Sequence, residues 1–290
     1  MLSYIHSFHA GNHGDILKHI VFSEILEYLL QKEKPFTVID SHSAQGKYSL
    51  KDENLLKTNE AKCGIEKLLQ VVNNSSKDEY THLKELSYLK IENIYSQKKM
   101  YAGSPELARI FLRENDNLIL NELHPKIIEL LKQNCKENLL IQKNELPQTI
   151  IQNKNAKEFL ESFIPPKIKR GCVIIDPSYE DKNDFIETAS LFKNAFKKWK
   201  TATFVIWYPL LEHRFSEIEL LKEIVEGECE KENLEKEKFC VFELEVKDFS
   251  KIEGLAKLYG SGVLVVNPPF TLNQKMQKIL AELKQILYEN

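Results

Sequence analysis

Short apolar runs alternate with longer stretches of helical periodicity along most of this chain, and no other feature restricts its fold as much. The runs are Phe36-Thr37-Val38-Ile39-Asp40, Leu118-Ile119-Leu120, Leu139-Leu140-Ile141, Cys172-Val173-Ile174-Ile175, Ala202-Thr203-Phe204-Val205-Ile206-Trp207, Cys240-Val241-Phe242-Glu243-Leu244-Glu245-Val246 and Gly262-Val263-Leu264-Val265-Val266. Most lack the polar alternation of a strand with one wet face, so they read as strands covered on both sides. Helical patterns over 105–114, 125–135, 155–163, 181–199 and 213–224 separate most of them. Alternation of this kind builds an α/β protein with a mostly parallel sheet between helical layers. Seven strands in this order predict a doubly wound, nucleotide-binding fold.

Two stretches carry a different pattern. Residues 15–34 read as an amphipathic helix, with Ile16, Ile20, Phe22, Ile25, Leu26 and Leu29 at roughly helical spacing and Pro35 closing it. Residues 47–100 are rich in Lys, Glu and Asn, with scattered leucines and the loop-like Val72-Asn73-Asn74-Ser75-Ser76-Lys77. They predict a helical insertion subdomain of 47–100 within a sheet domain of 1–46 and 101–290. The Lys/Glu-rich tract 226–238 reads as a solvated helical face or a turn.

Composition narrows the class. With 42% hydrophobic residues, the 290-residue chain can bury a sizeable core. No run approaches the ~20 apolar residues of a membrane span, and the first residues lack a signal-peptide pattern. The five cysteines form no C-x-x-C pair, so neither a zinc ribbon nor a disulfide framework is expected, and a reducing cytoplasm is the default. A net charge of −3 excludes a wholesale basic coat but leaves room for a local phosphate-binding patch.

In an open α/β sheet, ligands bind beyond the carboxyl ends of the strands. The residues to weigh are therefore Asp40-Ser41-His42-Ser43-Ala44-Gln45-Gly46-Lys47, Asn121-Glu122-Leu123-His124-Pro125, Asp176-Pro177-Ser178-Tyr179-Glu180 and Asn267-Pro268-Pro269-Phe270. The last two share a pattern: an acid or amide, a proline, and an aromatic at the fourth place. An exocyclic amine such as adenine N6 is a poor nucleophile, because its lone pair is delocalised into the ring. A side-chain oxygen and a backbone carbonyl that accept its two N–H bonds draw the nitrogen towards tetrahedral geometry. Proline stiffens such a turn, and an aromatic face stacks on an extruded base for about 1–3 kcal/mol. Both turns cannot do this. Asp176, after the fourth strand and near the sheet centre, is the stronger candidate, and Asn267-Pro268-Pro269 reads as a rigid strand exit.

Gly46 alone remains of a glycine-rich first turn, so the dinucleotide fingerprint is absent. Glu122 stands at the second strand end, where an acid hydrogen-bonds ribose hydroxyls; a plain surface carboxylate is the alternative. His6, His9, His13, His19 and His42 are five of the eight histidines. His9 and His13 share helical spacing, but Gly11 and Gly14 interrupt it and no cysteine or carboxylate completes a motif, so no metal site is expected. Tyr4, His6, Phe8, His9 and Lys18 combine stacking faces with donors. They suit an RNA-contacting arm, or else ordinary packing of the amino terminus.

The opening Leu2-Ser3-Tyr4-x-His6-Ser7-Phe8-His9-Ala10-Gly11-Asn12-His13-x-Asp15-x-Leu17-Lys18-His19 closely resembles the ribosomal RNA large subunit methyltransferase J family. The likeness continues through Asp40-x-His42, Gly103-Ser104-Pro105, Glu122-Leu123-His124-Pro125, Asp176-Pro177-x-Tyr179-Glu180 and Gly260-Ser261-Gly262 to Asn267-Pro268-Pro269. The resemblance implies a class I S-adenosylmethionine-dependent methyltransferase, Rossmann-like with a seven-stranded mostly parallel sheet, that methylates adenine N6 in 23S rRNA. It implies that His19, His42, Ser104, Glu122, Asn155, Ala156 and Asp176 contact S-adenosylmethionine. Asp176, Pro177 and Tyr179 would form the catalytic turn, and Tyr4, His6, Lys18 and Tyr179 would act on or near the RNA.

Three departures from the family pattern stand out. Ser178 replaces a second proline, Asn155 replaces an acid expected on the donor's adenine amine, and Ser43-Ala44-Gln45 replaces a turn richer in glycine and alanine. The expected partner is 23S rRNA, deproteinised or early in assembly, with no membrane and no metal, for a cytoplasmic monomer. A DNA adenine-N6 methyltransferase, or a protein of external-DNA catabolism, is the alternative nearest in chemistry. A nucleic-acid-binding protein with a decayed site, suggested by Ser178 and Gln45, is the alternative from another class.

Overall fold

The computed structural model describes residues 5–143, 145–248 and 258–288, so Tyr4 lies outside the described residues. In chain order the strands are β1 (Thr37–Asp40), β2 (Lys47–Ser49), β3 (Met100–Ala102), β4 (Asn117–Asn121), β5 (Gln148–Gln152), β6 (Gly171–Ile175), β7 (Thr203–Leu211), β8 (Phe239–Glu245) and β9 (Leu258–Val266). The helices are α1 (His13–Leu30), α2 (Glu53–Thr58), α3 (Lys67–Asn74), α4 (Thr81–Glu85), α5 (Ser87–Gln97), α6 (Ser104–Phe111), α7 (Pro125–Lys136), α8 (Ala156–Phe163), α9 (Asn183–Lys198), α10 (Phe215–Lys231) and α11 (Leu272–Leu287).

All strands except β2 and β3 form one seven-stranded sheet in the order β5-β4-β1-β6-β7-β9-β8. Neighbours are parallel except where β9 is involved, so β9 runs against the rest. This is the Rossmann-like, mostly parallel sheet expected from the sequence. Its side chains separate with period two. Val38, Leu118, Leu120, Cys172, Ile174 and Val205 share one core with α1 and α11. Ile39, Ile119, Val173, Ile175, Phe204 and Ile206 share another with α8, α9 and α10.

Three expectations need correction. Leu139-Leu140-Ile141 is loop, and the third strand of the sheet is Gln148-Thr149-Ile150-Ile151-Gln152. β5 pairs only with β4 at the sheet edge and is largely exposed, so it carries no apolar run. Nor is α1 amphipathic: Asp15, Lys18, His19, Ser23 and Glu24 are buried along with its apolar residues. It packs between the sheet strands β7 and β9 and the inserted α5, and it meets α6 and α11 as well, so it has little wet face to mark. Its entry is set by Asn12, whose side chain accepts from Asp15 N at 2.9 Å.

The stretch after β1 is not wholly helical either, because it opens and closes on the antiparallel pair β2–β3. Between them lie α2, a π-helical turn (Lys62–Glu66), α3, α4 and α5. Ile65, Leu68, Tyr88 and Tyr95 belong to the same core as Ile16 and Ile20 of α1. Backbone contact is close as well: Ile65 N donates to Gly11 O at 2.9 Å, and a Cβ on Gly64 would stand 2.2 Å from that oxygen. At the far side, Glu282 of α11 accepts from His82 N at 3.2 Å and Leu83 N at 2.9 Å, capping α4.

Candidate active site

From β1 the chain turns towards β4 on one side, while β6 lies on the other, so a crevice opens where the strand order reverses. A cavity of about 690 Å³ fills it, within the range of small-molecule sites. The exits of β1, β4 and β6 all contribute, through His42, Glu122 and Asp176, together with His6, Lys18 and His19 from the amino-terminal region. Ser104, Asn155, Ala156 and Pro177 complete the set of expected residues that line it, and Ser178 lines it as well.

Asp176 is held by Lys18. The Lys18 ammonium bonds Asp176 Oδ2 and also donates to Asp15 Oδ1 at 2.8 Å, with Lys18 itself buried. Burial alone would lower the Lys18 pKa, but the Asp15 and Asp176 carboxylates outweigh it and hold the ammonium charged well above the usual range. Burial also works against ionised Asp15; Lys18, with His6, overcomes it and keeps that carboxyl well below the usual range. Asp15 further accepts from Gly11 N at 2.9 Å and lies 3.1 Å from His6 Nε2. Lys18 thus faces inward, between two carboxylates, rather than outward to a nucleic acid.

The β1 exit is equally organised. Ser104, the first residue of α6, donates to Asp40 Oδ2 at 2.7 Å, and His42 N donates to Asp40 Oδ1 at 3.1 Å. Burial raises the Asp40 pKa to about 6 and pushes His42 down to about 4. His19, fully inside, is lowered by burial to about 3 and stays neutral. Glu122 accepts from His124 N at 2.7 Å, and burial raises its pKa. Asn155 caps α8, its Oδ1 accepting from Glu158 N at 2.9 Å, so the amide oxygen expected on an adenine amine is already engaged. Gly46 (φ 77°) serves packing, since a Cβ there would press on Pro105 and Leu131 at 3.2 Å.

Tyr179 does not face the cavity. Its ring packs on Phe185 and Trp207 with centroids 4.5 and 5.8 Å away, and its hydroxyl donates to Trp207 O at 2.7 Å. The expected stacking face is therefore turned inward, in a left-handed backbone (φ 51°) that a tyrosine seldom adopts. Asn267 lies at the opposite end of the sheet, because β9 runs antiparallel and its end pairs with the start of β7. There it donates to Lys200 O at 2.8 Å and Ala202 O at 2.9 Å, which makes it a strand exit. His9 lies 2.9 Å from Glu60 and His13 lies 3.0 Å from Ser261, so the two histidines take separate partners. Among the described residues no group of three or more His, Cys, Asp or Glu is placed to hold a metal, and no helix is long and apolar enough to cross a membrane.

Sequence reading assigned no role to Asp15 or Asp40. Asp40 was signalled by its place at a strand end, whereas Asp15 carries no signal beyond the opening motif, because it sits within a helix. The cavity wall also has a sign. Glu122, Asp176, Glu180, Asp184 and Glu187 line it against the two lysines Lys18 and Lys157, a lining that favours a cationic ligand over a pyrophosphate-bearing one.

Residues 33–290 match the family profile described as "RsmJ: Ribosomal RNA large subunit methyltransferase D, RlmJ". Two relatives named ribosomal RNA large subunit methyltransferase J, from Haemophilus influenzae and Escherichia coli K12, are 37% and 35% identical to the chain. These matches cover 99% and 97% of this chain and 94% and 92% of theirs. A crystal structure of a Legionella pneumophila protein is 28% identical and superposes with a TM-score of 0.76, covering 96% of this chain and 94% of that one.

Proposed function

This chain belongs to the ribosomal RNA large subunit methyltransferase J family and is a methyltransferase, and we propose that it methylates N6 of an adenine in 23S rRNA with S-adenosylmethionine as donor. One placement carries most weight: Asp176-Pro177 opens onto an acid-lined cavity with its carboxylate already pinned by Lys18. The donor fits that cavity on two counts. Its sulfonium is cationic, as the lining favours, and Glu122 stands where an acid meets ribose hydroxyls. When bound, S-adenosylmethionine supplies an electrophilic methyl group.

Within this reading, His19, His42, Ser104, Glu122 and Ala156 form the donor wall, with Asn155 capping the helix behind it. Lys18 occupies Asp176 Oδ2. Oδ1, which has no hydrogen-bond partner among the described residues, is left to accept from an amino group. The Pro177 carbonyl accepts the second N–H, so the nitrogen lone pair is freed towards the methyl carbon. Holding two partners in line supplies much of the acceleration, and Asp176 takes up the released proton. The base reaches the site unpaired or extruded, at a cost of a few kcal/mol. His6, tied to Asp15, lines the same cavity. Tyr179 buttresses the turn through Trp207 in this conformation. The work is done in the cytoplasm, where rRNA is made.

Purified protein given labelled S-adenosylmethionine with deproteinised 23S rRNA, and separately with duplex DNA, tests the proposal. Label in an adenine of the rRNA supports it, whereas label in DNA alone sinks it.

A further inference from the structure

The inserted segment reaches the candidate site through buried polar groups to which the reaction scheme gives no part. Tyr88 on α5 and Tyr101 on β3 place their hydroxyl oxygens 3.3 Å apart, and Tyr101 Oη lies 2.7 Å from His19 Nδ1. His19 Nε2 has no hydrogen-bond partner among the described residues and stands 4.0 Å from Asp15 Oδ1. Tyr88, Tyr101 and His19 are each no more than 1% exposed, so bulk solvent does not supply their hydrogen-bond partners.

Each hydroxyl has one proton to give, and a neutral imidazole has one. Glu92 is near enough to Tyr88 to affect its ionisation, yet Glu92 Oε1 has no hydrogen-bond partner among the described residues, so the acceptor left for the Tyr88 proton is Tyr101 Oη. Tyr101 then donates to His19 Nδ1, and the imidazole proton resides on Nε2. The reverse order, from His19 Nδ1–H through Tyr101 to Tyr88, strands a buried hydroxyl without a partner, which is costly. It also turns the bare Nε2 lone pair towards the Asp15 carboxylate. Both penalties favour the same arrangement.

We infer that Tyr101 is a positioning residue that fixes His19 as the Nε2–H tautomer, so that its N–H dipole steadies the Asp15 carboxylate. Asp15 in turn holds Gly11 N, His6 and Lys18, and Lys18 holds Asp176. The inserted segment thereby sets the pose of the acceptor carboxylate without touching it. The effect on turnover rests on the proposed methylation, while the tautomer is a property of the protein alone.

Histidine 15N NMR of the ligand-free wild type, Tyr101→Phe and Tyr88→Phe, with steady-state kinetics on deproteinised 23S rRNA, tests this. Wild type and Tyr88→Phe are expected to show His19 protonated at Nε2. Tyr101→Phe should show mixed tautomers and a kcat lower by about tenfold, with both KM values within about twofold. Tyr88→Phe, which removes the same group from the same core, should stay within about twofold of wild-type kcat and so controls for lost packing. A wild-type His19 protonated at Nδ1 overturns the inference. So does Tyr101→Phe with an unchanged tautomer and an unchanged kcat. Failure of the wild type to methylate rRNA overturns the proposed reaction instead, and the NMR still decides the tautomer.

Discussion

Asp176-Pro177-Ser178-Tyr179 and Asn267-Pro268-Pro269-Phe270 are near copies on paper, yet they leave the same sheet at opposite ends. The first follows β6, a parallel strand, and opens onto the cavity; the second follows β9, which runs the other way. Their details invert too. The left-handed residue is the fourth in one turn (Tyr179, φ 51°) and the first in the other (Asn267, φ 54°). The fourth side chain is 7% exposed in the first and 96% in the second. A short motif therefore has no fixed meaning until the direction of its strand is known, because direction decides which end of the sheet it serves.

The sharpest way to break this contrast is to exchange losses of activity. Asp176→Ala should lower kcat by about 10³–10⁴-fold while donor affinity, read by calorimetry, stays within about tenfold. Asn267→Ala should leave kcat within about threefold, and the opposite outcome would mean that the wrong turn was chosen. Lys18→Met comes next. It leaves two carboxylates without their shared cation and should destabilise the fold by about 3–5 kcal/mol in urea denaturation.

Acid separates the two ends differently. His19 and His42, lowered to about 3 and about 4, stay neutral when folded but take up protons below about pH 6.5 once unfolded. Stability therefore falls as pH drops through that value, by about 2 kcal/mol for each histidine at pH 5. Asp40, raised to about 6, binds its proton earlier in the folded state and offsets about 1 kcal/mol of this. Denaturation midpoints across pH 5–7 should flatten in His19→Gln and His42→Gln. Asn267→Ala should shift the whole curve down by about 1–3 kcal/mol, because its bonds to Lys200 O and Ala202 O do not titrate. Phe270→Ser, at the exposed tip, should change stability by no more than about 0.5 kcal/mol.

Most of the sheet was legible because a strand covered on both faces announces itself in consecutive apolar residues, as Val173-Ile174-Ile175 does. The edge strand escaped for the same reason, since Gln148-Thr149-Ile150-Ile151-Gln152 is largely exposed and needs no such run. In the candidate site, the residues at strand ends could be found by position, and Asp176, His42 and Glu122 do meet in one cavity. Asp15, Tyr88 and Tyr101 could not. Tyr101 meets His19 from 82 residues away in the chain, beyond the few turns on which periodicity reports, and Asp15 is a buried acid on a helix, where periodicity assigns polar residues to a wet face. The inward turn of Tyr179 was equally hidden, because nothing local distinguishes a tyrosine that stacks on a ligand from one that donates to Trp207 O.

The cap that Glu282 places on His82 and Leu83 joins positions 200 and 199 residues apart. During synthesis the early segment must therefore wait for the last helix before that end of α4 is covered. At about 5–20 residues per second the delay is roughly 10–40 s. Over that interval the nascent chain carries an unfinished surface, and a ribosome that stalls before the final helix releases a product left open at that seam.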